Sequence, residues 1–208
     1  MGRYRGPMVK LSKRLGIALT PKCERHFALR NIDVKNPNHV IGSTSGRRKK
    51  LSTYGVQLWE KQKLQYAYGI REKQIRKYFE QAKKAAVTGD ALMQILESRF
   101  DNVIFRMGFA ASRAQARQMI VHGHFSLDGK KAKVPSISVK PGTVITLKEN
   151  SKIRGRVQSN YVDAAAKGIP TWVKIDSDKL VGELVKTPSR DEIDMDVEEQ
   201  LVVEYYSR

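Results

Sequence analysis

Acidic residues are scarce in this chain, cysteine is almost missing, and no long apolar run interrupts it. Against 39 Lys and Arg stand only 21 Asp and Glu, giving a formal charge of +18 over 208 residues and a pI of about 10.1. That imbalance is unlike an ordinary cytosolic enzyme and points to a polyanionic partner, with nucleic acid first. Cys23 is the only cysteine, so an intrachain disulfide is excluded and a reducing compartment is expected. No apolar stretch approaches the roughly 18 residues of a bilayer span. The opening MGRYRGPM has no signal-peptide core, and Gly6 stands where a myristoylation pattern wants Ser or Thr. A soluble, intracellular chain with no membrane contact is the expectation.

Several chemistries are missing as well. There is no Walker loop, no glycine-rich dinucleotide fingerprint after a strand and no His-x-x-x-His pair. Cys23, His26 and His39 are zinc-type ligands, but one Cys and two loosely spaced His fall short of a four-ligand structural site. We expect no metal, no cofactor and no catalytic residues.

What is present is organised around Arg99 to Gly129, RFDNVIFRMGFAASRAQARQMIVHGHFSLDG. Val103, Ile104 and Met107 form an apolar stripe before Gly108, a common helix end. Ser112 and Gln115 have the spacing of a capping box for a second helix. On that helix Ala116, Met119 and Ile120 make the packed face, while Arg113 and Arg117, four apart, lie on another face and are candidate phosphate contacts. His122 and His124 flank Gly123 at its end, placed for phosphate contact or for the helix dipole. Phe125 and Leu127 then alternate into Asp128-Gly129, a hairpin turn signal.

Charge varies along the chain. Basic and acidic residues number 21 and 7 in positions 1–98, 16 and 7 in 99–186, and 2 and 7 in 187–208. The opening spaces Arg3, Arg5, Lys10, Lys13 and Arg14 among glycines and a proline, which suits an extended arm that orders on a polyanion. Residues 20–52 have little periodicity and many breakers, and they run into Arg47, Arg48, Lys49 and Lys50, a cationic run suited to phosphate. Next, 57–67 reads as helix, and Ile75, Tyr78, Phe79, Ala82, Ala85 and Ala86 form a second helical stripe. Asp90 is the expected cap of the helix carrying Leu92, Ile95, Leu96 and Phe100, and Asp101 the expected cap of the next. Beyond the hairpin, 132–134, 137–139, 144–147, 172–175 and 180–185 read as strands, and 160–167 as a helix ending at Gly168. In the tail, Asp196 with Glu199 at the box position marks a short helix, with strand left open by its β-branched residues.

The run SRAQARQMIVHGHFSLDGK resembles the RNA-binding module named after small-subunit ribosomal protein four. The block of Ser52, Tyr54, Gly55, Leu58, Glu60, Lys61, Gln62, Lys63, Tyr68 and Gly69, with the MGRYRGP start and the Tyr-Tyr-Ser-Arg end, extends the resemblance to that bacterial-type family over nearly the whole chain. The chain has Asp128 where the family usually has Asn. It lacks the family's Pro-Pro-Gly-Gln-His-Gly type of sequence in 20–46 and the cysteine cluster by which some members bind zinc. Tyr54, Lys61, Lys63 and Arg71 are candidate RNA contacts beside the arginines above, on a basic surface running on from Arg47, and the resemblance implies a tail that packs back on the N-terminal helices. It further implies direct binding to the 5′ domain of 16S-type rRNA, nucleation of assembly, and an effect on decoding accuracy. Implied neighbours are small-subunit protein five and the mRNA near its entry channel. The setting is a cytoplasmic ribosome, or that of a plastid or other organelle.

The expected fold is α+β. A basic, largely extended arm covers 1–50, a helical domain covers 51–98 and is completed by 187–208, and an inserted RNA-binding module with a small antiparallel sheet covers 99–186. Two alternatives stand beside the ribosomal reading. Ser98-Arg99-Phe100-Asp101 resembles the Arg-Leu-Asp strand of pseudouridine synthases, and 99–123 could be a DNA-binding helix-turn-helix, although a DNA reader usually offers base-edge side chains and a dimer surface where this helix offers mainly arginine, which suits folded RNA.

Overall fold

The computed structural model describes Tyr4, residues 6–34 and residues 52–208. Arg3, Arg5, His39 and the run Arg47 to Lys50 lie outside the described residues. The fold is α+β, and the chain divides into two compact units, one made of Met1–Gly89 and Met195–Arg208, the other of Asp90–Asp194.

The first unit departs from the expected arm. Helices α1 (Met8–Leu15) and α2 (Pro21–Leu29) occupy it. The described residues among those read as breakers are helix boundaries, and 35–50 of the expected arm lie outside the described residues. Gly16 ends α1 in the left-handed region at φ 70°, and Thr20 caps α2 by accepting from Cys23 N–H, with Pro21 at the first helical position. Buried Ser12 accepts from Leu19 N–H across the turn. Leu11, Leu15 and Leu19 pack with Ala67, and Cys23, Phe27 and Ile32 form a neighbouring cluster. Cys23 is therefore a core residue.

Helix α3 (Thr53–Tyr68) begins at Ser52, whose hydroxyl accepts from Gly55 N–H. Helix α4 (Glu72–Ala82) buries Ile75, Tyr78, Phe79 and Ala82, as the stripe requires, and stops before Ala85 and Ala86, which are exposed. Helix α5 (Thr88–Glu97) starts two residues before Asp90, so Asp90 lies in its first turn and is not the cap.

In the second unit, α6 (Phe100–Arg106) and α7 (Arg113–Val121) form the expected helix pair. After α6, Gly108 N–H bonds to Phe105 C=O and Phe109 N–H to Ile104 C=O. Gly123 and His124 make the same pattern with Ile120 and Met119 after α7. Both are Schellman motifs, with the glycine at φ 74° in each. Strands β1 (Phe125–Leu127) and β2 (Lys130–Lys131) pair across Asp128-Gly129, both at positive φ as a type I′ turn demands. Asp128 Oδ1 also accepts from Val144 N–H at 2.8 Å, so the residue ties the turn to β3 (Val144–Leu147).

Helix α8 (Arg154–Ala165) is longer than 160–167 and lies earlier. With β4 (Val173–Asp176) and β5 (Val181–Leu184) the sheet is antiparallel in the order β2-β1-β3-β5-β4. Residues 132–134 form no strand, and 137–139 contribute only the bridge of Ser138 to Arg99. Phe100, Ile104, Phe109, Ile120, Phe125 and Trp172 are among the large side chains at the centre of this unit's core.

The tail returns to the first unit as α9 (Glu199–Tyr206), which packs on α3 and α4. It has no side-chain cap from Asp196. Its neighbour Glu198 donates its N–H to Glu60 Oε2 instead, and Glu204 accepts from Gln57. Tyr206 donates to Glu72 Oε1 at 2.7 Å. Burial first, then this bond, pushes the Tyr206 pKa far up, and the hydrogen bond with Tyr54 is the main cause pushing that of Tyr205 up to about 12.

Raised tyrosine pKa values stabilise the folded state fully below the unfolded value of about 10 and progressively less above it. Alkaline titration followed by circular dichroism should show the first unit losing stability from about pH 10 upward, with part of that loss abolished in Tyr206→Phe. A Cβ on Gly108 would meet Ala164 Cβ at 2.5 Å, whereas one on Gly129 would meet nothing within 4 Å. Gly108→Ala should therefore cost about 3 kcal/mol in denaturant unfolding, strain plus overpacking, and Gly129→Ala only about 1 kcal/mol.

Candidate nucleic-acid interface

The helix pair is fastened by charge. Glu97, the last residue of α5, is fully buried, and its carboxylate takes both ends of the Arg106 fork, at 2.9 Å from Nε and 2.8 Å from Nη2. The same carboxylate accepts from Asn102 Nδ2 at 2.7 Å, and Arg113 Nη2 lies 3.9 Å away. Asn102 in turn accepts from Arg113 Nε at 2.7 Å, so it relays Glu97 to α7. Arg113 also stacks over the Phe105 ring at 4.7 Å.

Asp101, only 2 % exposed, does the same for the other two arginines. Arg99 grips it through Nε and Nη2 at 3.0 and 2.8 Å, and Arg117 donates Nε and Nη2 to Oδ2 at 2.9 and 2.6 Å. Asp101 is thus not a helix cap. Arg99 holds the cap position of α6, without a side-chain bond, and Asp101 is the hub of an ion cluster. The sequence reading expected Arg113 and Arg117 on a charged face separate from the packing. Instead their side chains are 16 % and 23 % exposed and paired to carboxylates from the preceding helices. Four guanidiniums against two carboxylates leave the cluster at +2.

Ser112 caps α7 as expected, accepting from Gln115 N–H at 3.2 Å. The Gln115 side chain closes the box one residue early, accepting from Ala111 N–H at 2.7 Å.

A second cationic patch sits at the other end of α7. The stems of Lys131 and Lys133 lie beside Gly123, where a Cβ would come within 3.0 and 3.3 Å of their Cε atoms. His122 is exposed and its ring centroid is 6.1 Å from that of His124. His124 Nδ1 is 2.9 Å from Ser151 Oγ. Burial first, then the charges of His122 and Lys148, lowers the His124 pKa, so its neutral form is favoured. Lys131, Lys133 and Lys148 are exposed and have no acidic partner among the described residues. None of the three is among the residues expected from sequence, although Gly-Lys-Lys-Ala-Lys at the hairpin turn marks Lys131 and Lys133.

In the first unit the expected contacts divide. Lys10, Lys13 and Arg14 share one side of α1 away from Leu11 and Leu15, with Lys10 and Arg14 exposed. Arg71, at the start of α4, is exposed, and Tyr54 is 48 % exposed beside Tyr205. Lys61 and Lys63 differ from expectation. Lys61 is buried, bonded to Glu72 at 2.6 Å and set over the Tyr205 ring, and Lys63 is held by Glu60 at 2.5 Å. Lys61 ties α3 to α4 and to the Tyr205 ring, whereas Lys63 is paired one turn away within α3.

Among the described residues no group of His, Cys, Asp and Glu could hold a metal ion, and no helix is long and apolar enough to cross a membrane. Residues 3–97 match the model of the ribosomal protein S4/S9 N-terminal domain, and 98–145 match that of the S4 domain. The chain belongs to the ribosomal protein S4 family. Proteins named small ribosomal subunit protein uS4 from Acetivibrio thermocellus, Chlorobium phaeobacteroides and a Sulfurihydrogenibium species are 45 %, 43 % and 46 % identical to it over 209 aligned residues, covering all of each chain. The family is one of structural ribosomal proteins with an S4 RNA-binding domain, not of enzymes, and the pseudouridine synthase alternative falls away.

Ser112→Ala should lower stability by about 1 kcal/mol through the lost cap. Asp101→Ala should cost far more, about 3–5 kcal/mol, because it removes a buried carboxylate bonded by two guanidiniums. Denaturant unfolding of the two variants side by side checks the ranking, and equal costs would contradict the hub role of Asp101.

Proposed function

We propose that the chain is a structural component of the small ribosomal subunit that binds 16S-type rRNA directly. The observation that carries this reading is the pairing, on one helix-hairpin module, of the +2 arginine cluster around α6 and α7 with the lysine and histidine patch of 122–148. Such a surface suits RNA that is recognised by backbone and shape. The cationic side of α1 adds phosphate contacts from the first unit. Full-length similarity to proteins bearing the small-subunit name supports the assignment.

Within it, the chain binds the 5′ domain of the rRNA, nucleates its assembly and contributes to decoding accuracy. Its neighbours are other small-subunit proteins, protein five among them, and the mRNA near its entry channel. It works in the ribosome of the cytoplasm or of an organelle.

The test is a salt-titrated competition of the full chain among small-subunit rRNA fragments, transfer RNA and duplex DNA. The 5′-domain fragment should win at every salt concentration, and preference for duplex DNA would revive the helix-turn-helix alternative. Replacing Lys131, Lys133, Arg113 or Arg117 by Ala should lower affinity and cut the salt slope by about 1 each. A slope that does not change removes the altered residue from the interface.

A further inference from the structure

We infer that Glu97 and Asn102, which carry no positive charge and are not themselves contacts, are positioning residues for RNA recognition, holding Arg113 of α7 in its binding geometry before RNA arrives. The inference rests on the RNA-binding reading above. Two observations and one physical argument carry it.

First, both residues are buried, at 0 % and 1 % exposure, and belong to different helices from the arginine they serve. Second, the geometry is directional. Glu97 binds Asn102 Nδ2 at 2.7 Å, which turns the amide so that Oδ1 receives Arg113 Nε at 2.7 Å, while the Phe105 ring supports the guanidinium from one face. An Asn side chain offers donors and an acceptor at opposite corners, so the carboxylate dictates which corner meets the arginine. Third, a carboxylate beside an anion-binding surface opposes the long-range attraction that brings RNA in. A net gain in affinity from Glu97 therefore requires that the ordering of Arg113 outweigh that repulsion. A flexible arginine loses rotamer freedom when a phosphate immobilises it, and one already fixed loses little.

The consequence is of opposite sign to simple electrostatics. Glu97→Gln removes a negative charge from the protein and keeps the side-chain shape, yet it should weaken rRNA binding about ten-fold, with the salt slope unchanged because the number of neutralised phosphates is the same. Glu149→Gln removes a charge from an exposed residue of the same unit and should leave binding equal or slightly tighter. Asn102→Ala, which leaves the net charge alone, should reproduce the loss seen in Glu97→Gln.

The experiment measures rRNA-fragment affinity of the full chain against salt for the wild type and these three variants, with melting recorded for each. Arginine Nε–H relaxation by NMR in the wild type keeps the test decisive should a variant fail to fold. The Arg113 Nε–H of the free protein should be as rigid as the backbone and should stay so in the complex. Glu97→Gln binding as tightly as wild type while folded would overturn the inference, as would an Arg113 that is mobile free and rigid only when bound. A wild type that fails to prefer rRNA would instead overturn the reading on which the inference stands.

Discussion

Two buried carboxylates hold the module together. Glu97 and Asp101 lie at the junction of α5 and α6, and the four guanidiniums gathered on them reach from the end of one helix across the next to the third. Burying two anions is costly, and it is tolerated because each is bonded by forked donors and neither is left with a single partner. An apolar substitute would fill the same space and present no charge. The ionic solution delivers both rigidity and an excess of two positive charges, so the side chains that pack α6 on α7 are also the ones that carry the positive charge of this part of the module.

Much of this was legible in the residues, within limits set by physics. The α6 and α7 stripes, the helix end at Gly108, the Ser112 cap and the Asp128-Gly129 turn are local, and each has a sequence signature that the structure bears out. The roles of Asp101 and Arg99 were not legible. An Asp near a helix start looks like a cap, and only the tertiary placement of Arg117, sixteen residues on, makes it an ion hub. For the same reason Lys61 and Lys63 looked like phosphate ligands. The partners that turn them inward, Glu72 and Glu60, sit on the neighbouring helix and one turn away, and the Tyr205 ring comes from the far end of the chain.

The N-terminal segment teaches a related lesson. Gly16, Thr20 and Pro21 were weighed by composition and suggested an arm without regular structure, yet each occupies a defined boundary position of α1 or α2. Breakers mark ends of elements as readily as they mark absence of elements, and the deciding evidence was the apolar spacing of Leu11, Leu15 and Leu19 between them. What the arm reading did preserve is the charge. Lys10, Lys13 and Arg14 remain on the outer side of α1, where helix formation fixes them in one row instead of leaving them on a flexible chain.

The proposed RNA-binding surface is α7 and its hairpin, with a further row of cations on α1. Photo-crosslinking of the full chain to 5′-domain rRNA carrying 4-thiouridine, followed by mass spectrometry of the attached peptides, tests this most directly. Crosslinked peptides should contain residues 113–133 and residues 10–14, both suppressed by unlabelled 5′-domain RNA. Crosslinks confined to other parts of the second unit, with none on α7 or the hairpin, would contradict it.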